Sequence, residues 1–330
     1  MAIRDFILEI DSDVSDVLNT DFEYSRTLDV PNRSDSGLSF ERGVTKKGKR
    51  LETCVLYVDV RNSVGLTQTH SPEIMGKVYT AFAKSVVKAA KRHSGHIRNI
   101  IGDRVMIIFP TTNCFTDAVD CAITINHIAS KVINHKFTNL DFKCGIGIDY
   151  GEMKVIKVGV HRRGSEAIEN RSLVWTGNPA NIASRLTDVA NKTIEEDIFR
   201  VTRNKINLFR SRFPFDFATL LASPPIATRQ QPLYSDEIEV VDLTTEEFAN
   251  SIASVTERSL FMTGGDFIKF EKSKRIKNFP SILMTEDVYN GFRSANPGRK
   301  SIRDNYWKQE TDNINNVTQK IYGGNVIWEV

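Results

Sequence analysis

Residues 54–60 decide the fold of this chain: they read CVLYVDV, an apolar and β-branched run with one acid, Asp59, near its end. Such a run predicts a buried strand. Residues 96–109 (HIRNIIGDRVMIIF) predict a hairpin turning at Gly102-Asp103, because Gly-Asp is a common turn pair. Asp59 and Asp103 therefore both follow strands, where paired carboxylates suit divalent cations bound to a triphosphate.

A second polar pair lies on a helix that is predicted to begin near Asn178. Asn181 and Arg185 are four positions apart, so both side chains lie on one face of that helix. An amide and a guanidinium suit the charge that develops when a phosphoryl centre is attacked. Each of the four residues alone is an ordinary turn or surface residue, but the set indicates nucleotide chemistry.

The order of predicted elements indicates the fold class. Ser71 followed by Pro72 predicts a helix start, and each later element follows from its own periodicity. The elements are a strand at 53–60, a helix at 72–93, the hairpin at 96–109, a helix at 115–134, strands at 141–149 and 153–160, and the helix near 178. Grouped as βαββαβ, they predict an α+β fold with a ferredoxin-like sheet and helices on one face.

The flanking segments predict an N-terminal extension and an insertion. Residues 1–50 predict a helix from 3 to about 20 and an irregular connector, with the basic run at 46–50 as a solvated linker. Residues 51–330 form the predicted main domain, interrupted by an insertion at about 192–280 that lacks a clean period. The rest predicts a strand at 281–284, a helix from 286, a connector at 297–313 and a final hairpin at 317–330 turning at Gly323-Gly324.

Composition excludes several classes of protein. A formal charge of +3 is too small an excess to indicate a nucleic-acid partner. The four cysteines lack C-x-x-C spacing, which favours buried thiols in a reducing compartment. No apolar run reaches the roughly 18 residues that cross a bilayer, and no signal peptide is apparent. We therefore expect a soluble, cytoplasmic protein without a membrane partner.

The motifs resemble those of the class III nucleotidyl cyclases, the adenylate and guanylate cyclase superfamily. The matching segments are LYVDV at 56–60, IGD at 101–103, GIGIDYG at 145–151, GNPANIASRL at 177–186 and PSILMTEDVY at 280–289. The resemblance implies a metal site formed by Asp59, Val60 and Asp103, with the two carboxylates as the charged ligands. It also implies that Asn181 orients the ribose and that Arg185 neutralises charge on the α-phosphate.

The resemblance further implies a two-metal reaction in a homodimer. The 3′-hydroxyl of a nucleoside triphosphate attacks its own α-phosphorus, and pyrophosphate leaves. Hard oxygen ligands favour two Mg²⁺ or Mn²⁺ ions, one lowering the pKa of the hydroxyl and one binding the leaving phosphates. In this family the metal pair and the Asn/Arg pair of one site come from different protomers, so a head-to-tail homodimer with two composite sites is expected.

The base-reading positions differ from those of purine cyclases. Asn99 stands where those enzymes usually carry Lys or Glu, and Val174 stands where they carry Asp or Cys. Asn99 and Trp175 are candidates to line the base pocket, with Tyr57 filling the volume a purine needs. Lys320 is a candidate triphosphate ligand. For Tyr57 and Trp175 ordinary core packing is an equal alternative, as is an exposed lysine for Lys320.

The short architecture resembles the pyrimidine cyclases of bacterial Pycsar antiphage systems. That resemblance implies cyclic UMP or cyclic CMP as an alarm signal that activates a separate effector, and family membership favours UTP. A cytidylate cyclase, an adenylate or guanylate cyclase, and a silent nucleotide-binding domain remain alternatives. A diguanylate cyclase is disfavoured because no GGDEF-type segment is present. Residues 1–50 and the insertion are the expected places for a phage-sensing or dimer-regulating surface.

Overall fold

A computed structural model describes residues 2–138, 140–159, 171–206, 234–256, 259–262, 265–312 and 314–329. The chain divides into two compact units. One comprises Met1–Lys192 with Phe279–Val330, and the other is Thr193–Asn278. Among the described residues, no helix is both long and apolar enough to cross a membrane.

The helices and strands have the following bounds. The helices are α1 (Ile3–Asn19), α2 (Ser63–Thr69), α3 (Pro72–Arg92), α4 (Cys114–His127), α5 (Asn134–Lys136), α6 (Asn178–Val189), α7 (Thr245–Ser251), α8 (Glu286–Ala295) and α9 (Lys300–Arg303). The strands are β1 (Phe22–Arg26), β2 (Lys46–Val60), β3 (His96–Ile101), β4 (Arg104–Ile108), β5 (Cys144–Val158), β6 (Ser172–Thr176), β7 (Thr193–Ile206), β8 (Tyr234–Thr244), β9 (Ile252–Thr256), β10 (Ser259–Met262), β11 (Gly265–Asn278), β12 (Ile282–Thr285), β13 (Lys308–Gln309) and β14 (Ile321–Gly324).

The centre of the first unit is the predicted ferredoxin-like core. Strands β5, β2, β4 and β3 lie side by side in that order, and every neighbouring pair among them is antiparallel. This is the arrangement that a βαββαβ chain produces when α3 and α4 connect the strands, so the fold prediction is confirmed. The predicted start of α3 is also confirmed, because the Ser71 hydroxyl accepts a hydrogen bond from the Ile74 N–H at 3.4 Å.

The two faces of this sheet carry different packing. Leu56 and Val58 of β2 point into a large core that includes residues of α3, α4 and α8. Val55 of the same strand points to the other face, into a smaller cluster that contains Met106 of β4 and Ala183 of α6. Because side chains alternate along a strand, α6 lies on the face opposite to α3 and α4. The prediction that helices cover one face therefore holds for α3 and α4 but is wrong for α6.

The bounds of two core strands and of one helix correct three predictions. The basic run at 46–50 begins β2 instead of forming a linker, and Lys46 is buried with its ammonium 3.0 Å from Asp16 of α1. Segments 141–149 and 153–160 are predicted as two strands but are one, β5, which runs through Tyr150 to Val158; residue 160 lies outside the described residues. The helix predicted at 115–134 is interrupted by a π-helical turn at Ile128–Ile133.

The C-terminal hairpin prediction is wrong. Gly323 and Gly324 lie within β14, which pairs antiparallel with β12 and with the short strand β13. Strand β12 in turn pairs parallel with β5, through Leu283 and Gly147. The sequence suggested a turn because Gly-Gly is a frequent hairpin pair, but here the glycines allow close packing: a Cβ on Gly324 would come 2.9 Å from Trp307.

The second unit is a β-rich insertion with its own pairing. Strand β7 lies between β11 and β8 in an antiparallel sheet, and β9 pairs with β10. Phe199, Phe248 and Phe270 pack together, with 4.2 Å between the ring centres of Phe199 and Phe248. The predicted range of about 192–280 had no clean period because these strands are exposed on much of their surface, so that their apolar residues do not alternate regularly.

Candidate functional site

Strand register brings the two predicted metal-binding acids together at one end of the neighbouring strands β2 and β4. This row of strand ends forms one edge of the sheet. Val58 of β2 pairs with Val105 of β4, so Asp59 lies beside Arg104 and Asp103 occupies the turn just before it. Gly102 supplies that turn with a φ of 61°, a conformation that favours glycine. Asp59 is largely buried, with 15% of its side chain exposed, while Asp103 is half-buried.

Arg104 forms the densest set of contacts at this edge. One of its terminal nitrogens donates to Asp59 Oδ2 at 3.1 Å and also pairs with Asp188 of α6. The other donates to Ser184 Oγ at 2.9 Å. Burial lowers the pKa of Arg104, but its hydrogen bonds to Asp188 and Asp59 outweigh that effect and raise it. The guanidinium therefore stays charged and joins the Asp59 carboxylate to α6.

Arg61 is a second cation beside Asp59. Its guanidinium lies 3.6 Å from Asp59 Oδ2 and donates to the backbone carbonyl of Thr187. Burial lowers the pKa of Arg61, and the nearby Asp59 charge opposes that shift. Gly145 leaves the space that this side chain fills, since a Cβ there would collide with the guanidinium. The first glycine of the GIG segment thus makes room for an arginine.

The second glycine of that segment seats α6. A Cβ on Gly147 would collide with the backbone of Ala183 and Thr187, so the helix approaches β5 more closely than a larger residue allows. The Thr187 hydroxyl makes a 3.1 Å hydrogen bond to the carbonyl of Tyr57, two residues before Asp59. Close packing and this bond fix the position of α6 relative to the metal-binding edge.

Asn181 and Arg185 share one broad face of α6 with Ser184 and Asp188, because these positions are three or four residues apart, but the contacts of Arg185 differ from those of Ser184 and Asp188. Asn181 is exposed, and Arg185 is half-buried with a 3.3 Å hydrogen bond from its guanidinium to the carbonyl of Asn315. Within one protomer Asp59 pairs with Arg61 and Arg104, whereas Arg185 donates to the segment before β14. The catalytic roles of Asn181 and Arg185 stay predictions.

The residues predicted to contact the base separate into two groups. Tyr57 and Trp175 both pack against the small cluster that includes Val55 and Met106. Asn99 is exposed on β3, opposite Met106 of β4. Tyr57 and Trp175 thus take part in core packing, as the alternative interpretation expects, and both side chains are only partly buried. Contact with a base remains a prediction for all three.

Lys320 directly precedes β14 and is exposed. Its ammonium donates to Glu286 Oε1 at 3.1 Å, and its backbone carbonyl accepts from the Glu286 N–H at 2.8 Å. Lys320 is thus held at the start of α8 by a single surface ion pair, which contributes little to stability and can be exchanged for a ligand. Its role as a triphosphate ligand stays a prediction.

Asp59 and Asp103 have the chemistry of a site for hard divalent cations. Among the residues that the structure describes, no group of three or more His, Cys, Asp or Glu side chains could hold a metal ion by itself. Mg²⁺ usually takes one or two carboxylates and completes its shell with water and substrate phosphates. Two acids at one edge of the sheet fit that requirement, and Val60 follows Asp59 at the end of β2.

Sequence reasoning missed Arg104, Arg61, Ser184 and Asp188. Two of these were detectable in principle, because Arg61 follows the strand-end acid by two positions and Arg104 follows the hairpin acid by one. The sequence does not specify the register of β2 on β4 or the position of α6 on the sheet. Together these place the two arginines beside Asp59, and Ser184 and Asp188 beside Arg104.

Residues 46–205 match the family described as the adenylate and guanylate cyclase catalytic domain. The uridylate cyclase of Burkholderia cepacia is 27% identical over 200 residues, which cover 58% of this chain and 82% of the relative. The uridylate cyclase of Xanthomonas perforans is 25% identical over 209 residues, covering 61% of this chain and 84% of the relative.

Among solved structures, the chain is similar to the adenylyl cyclase CyaB from P. aeruginosa. The two share 13% identity at a TM-score of 0.45, over 84% of this chain and 94% of that chain.

Proposed function

Since residues 46–205 carry a class III nucleotidyl cyclase catalytic domain, we propose that this chain converts UTP to 3′,5′-cyclic UMP and pyrophosphate. The observation that supports the proposal most is the meeting of Asp59 and Asp103 at one sheet edge. That edge lies beside α6, which carries Asn181 and Arg185. Relatives named uridylate cyclase support the choice of UTP.

The reaction forms a bond from the ribose 3′-oxygen to the α-phosphorus and breaks the bond from that phosphorus to the pyrophosphate oxygen. When bound, two Mg²⁺ or Mn²⁺ ions supply Lewis acidity toward the hydroxyl and the leaving phosphates. Asp59 and Asp103 hold this end of the site, with Val60 beside them. Asn181 orients the ribose, and Arg185 neutralises charge on the α-phosphate as the attacking oxygen approaches. Lys320 binds the triphosphate tail.

The active enzyme in this proposal is a head-to-tail homodimer. Within one protomer Arg185 donates to the carbonyl of Asn315, while the described ion pairs of Asp59 run to Arg61 and Arg104. A partner chain in reversed orientation can therefore supply its Asn/Arg side to this metal edge. Each of the two composite sites then uses Asp59 and Asp103 from one protomer and the pair on α6 from the other.

The proposed role of the product is signalling. Cyclic UMP made in the cytoplasm on phage infection would activate a separate effector, as the Pycsar resemblance implies. Cyclic CMP is the alternative product, because the base-contacting residues predicted from the sequence, Tyr57, Asn99 and Trp175, do not separate UTP from CTP. An adenylate or guanylate cyclase and a silent nucleotide-binding domain are the further alternatives.

The test is product formation from ATP, GTP, CTP and UTP, which compete in one reaction with Mn²⁺ and are read by mass. We expect cyclic UMP as the main product, and none from an Asp103→Ala variant. Cyclic CMP would revise the substrate, and a cyclic purine product would overturn the pyrimidine assignment while keeping the mechanism. No product from any nucleotide, with Asp103→Ala folded like the parent protein, would contradict the proposed activity.

A further inference from the structure

A cavity of about 550 Å³ opens beside the cluster that holds Tyr57. Three parts of the first unit form its walls. Strand β3 contributes Arg98, strand β6 contributes Trp175, and the loop after β1 contributes Asn32, Arg33 and Ser34. The described lining contains two arginines and no acid, so the cavity suits a ligand that offers acceptor atoms.

Two donors in this wall are unsatisfied. Arg98 Nε and Trp175 Nε1 are buried and make no hydrogen bond within the described residues. A buried donor without a partner destabilises its surroundings, so a ligand acceptor that reached either nitrogen would be bound favourably. Arg98 Nη1 donates to the Ile97 carbonyl at 3.2 Å, which holds the guanidinium in the wall.

Arg98 also stacks on the indole. Its guanidinium carbon lies 5.7 Å from the centre of the Trp175 ring, within the range of a cation–π contact. A planar guanidinium and an indole in contact form a flat surface with donor groups at its rim. Such a surface fits a planar heterocycle that carries carbonyl oxygens.

A β-bulge explains why Arg98 enters the cavity wall. The pairing of β3 with β4 shifts between Ile97 and Asn99, so Arg98 is the extra residue and has no partner on β4. Bulges change the direction of a side chain, and here the change affects the position just before the one that sequence reasoning selected. Asn99 itself is exposed and is absent from the cavity lining.

The loop after β1 closes the other side of the cavity. The Ser34 N–H donates to Asn32 Oδ1 at 2.8 Å, which fixes the turn that presents Arg33. Beyond the turn, Asp35 is paired with Lys49 of β2 at 2.7 Å and accepts through its carbonyl from Lys157 of β5 at 2.9 Å. Residues 32–34 are thus anchored to the two long strands of the sheet.

Resting on the proposed cyclase function, we propose that this cavity binds the base of the substrate and that Arg98 is its specificity-determining residue. Trp175, held by the Arg98 guanidinium over its ring face, supplies a second donor through its in-plane indole N–H. Uracil presents two carbonyl oxygens that can accept from Arg98 Nε and Trp175 Nε1. Cytosine carries an amino group in place of one of these oxygens. This amino group would face one of the two protein donors and could not accept a hydrogen bond from it. The cavity therefore selects uracil over cytosine.

The first experiment measures kcat/KM for UTP and for CTP with Arg98→Met. We expect the UTP/CTP ratio to fall by at least about tenfold, mainly through KM for UTP, since an unpaired acceptor costs roughly 1–3 kcal/mol. Arg98→Lys keeps the charge but lacks Nε, so it gives the same comparison if Arg98→Met does not fold. Arg92→Met, an exposed arginine at the end of α3, is the matched control and leaves the ratio unchanged.

The second experiment separates the cavity from the reaction. UMP and CMP are titrated into the full chain without divalent metal while tryptophan fluorescence is read. UMP should quench the tryptophan fluorescence in a saturable manner, and this quenching should be absent in Trp175→Phe. Arg98→Met should raise the Kd for UMP at least about tenfold. If UMP quenches the fluorescence but no triphosphate gives a cyclic product, the proposed cyclase function is contradicted, whereas binding of the base in this cavity is supported.

Three results would overturn the assignment of the base to this cavity. The first is turnover with an unchanged UTP/CTP ratio in both Arg98 variants. The second is a change of that ratio in Asn99→Ala alone, which would restore Asn99 as the base-reading residue. The third is quenching by CMP that equals quenching by UMP in the parent protein.

Discussion

Arg104 links the proposed metal-binding edge to α6 through three side chains, Asp59, Ser184 and Asp188. Its charge opposes cation binding at Asp59, because a guanidinium and a metal ion compete for the same carboxylate oxygen. The neighbouring Arg61 adds to this effect at 3.6 Å. Asp188 acts in the opposite direction, since it draws the Arg104 guanidinium toward the helix.

Arg104→Gln should therefore strengthen binding of Mn²⁺ in the absence of nucleotide. We expect about a fivefold lower Kd, which corresponds to roughly 1 kcal/mol for a partly exposed ion pair. Electron paramagnetic resonance of free Mn²⁺ gives the affinity directly. Asp188→Asn should weaken binding, because Asp59 then remains the carboxylate partner of that Arg104 nitrogen and holds the guanidinium more tightly. Unchanged affinity in both variants would show that Arg104 does not compete with the metal.

Asp149 predicts a pH-dependent stability. It is 1% exposed, accepts a 2.6 Å hydrogen bond from Thr285, and burial raises its pKa to about 6 from 3.8. A raised carboxyl pKa contributes stability that is fully present below pH 3.8 and is lost as pH rises through about 6. An ionised Asp149 therefore lowers the free energy of unfolding, and this loss is complete only at pH values above about 6.

Asp149→Asn should remove this loss while keeping the acceptor for Thr285. Relative to the parent protein, its unfolding free energy should rise between pH 4 and pH 7 by up to about 3 kcal/mol. Urea unfolding at several pH values measures the difference. The exposed Asp141→Asn is the control and should show a flat difference. A flat difference for Asp149→Asn as well would mean that its pKa is not raised.

At the scale of elements, the close packing of α6 against β5 depends on the absence of a side chain at Gly147. Gly147→Ala should displace the helix, because the new Cβ meets the backbone of Ala183 and Thr187, which cannot rotate away. We expect a loss of 2 kcal/mol or more in unfolding free energy. Gly76→Ala, in α3 with nothing within 4 Å, should instead gain about 0.5–1 kcal/mol. Equal effects at both sites would contradict the close-packing argument.

Element prediction from the sequence succeeded where the signal is local. The strand at 53–60, the helix start at Ser71-Pro72 and the turn at Gly102-Asp103 each follow from period or turn chemistry, and each is confirmed. The final hairpin failed because Gly323-Gly324 has the composition of a turn but lies between two strands. Tertiary pairing overrides local turn preference when neighbours need close backbone approach.

At the scale of the whole molecule, the composite site of the proposed dimer can be tested by complementation. Asp103→Ala and Arg185→Ala should each be inactive alone. Mixed in equal amounts and allowed to exchange, half of the dimers are mixed and each has one intact site, so about a quarter of the activity should return. Asp59→Ala mixed with Asp103→Ala should restore nothing, since both changes affect the same half. No recovery in the first mixture would exclude composite sites.

The insertion is a second feature at this scale. Its ends meet, because the Phe279 N–H donates to the Lys192 carbonyl at 2.9 Å. A short Gly-Ser linker from Lys192 to Phe279 should therefore leave the first unit folded, with Mn²⁺-supported turnover within about threefold of the parent protein. Circular dichroism and the nucleotide assay measure the two outcomes. Loss of fold would show that the insertion supports the core, and would count against a purely regulatory role.

The sequence by itself determined the alternating core, the turn that holds Asp103 and the resemblance to the cyclases, because period and motif are properties of neighbouring residues. Only the tertiary structure decided that Arg104 and Arg61 surround Asp59 and that α6 covers the second face of the sheet. It also decided that a bulge brings Arg98 to Trp175. These contacts join residues far apart in the chain, and they depend on strand register and on space left by glycines, which no local pattern encodes.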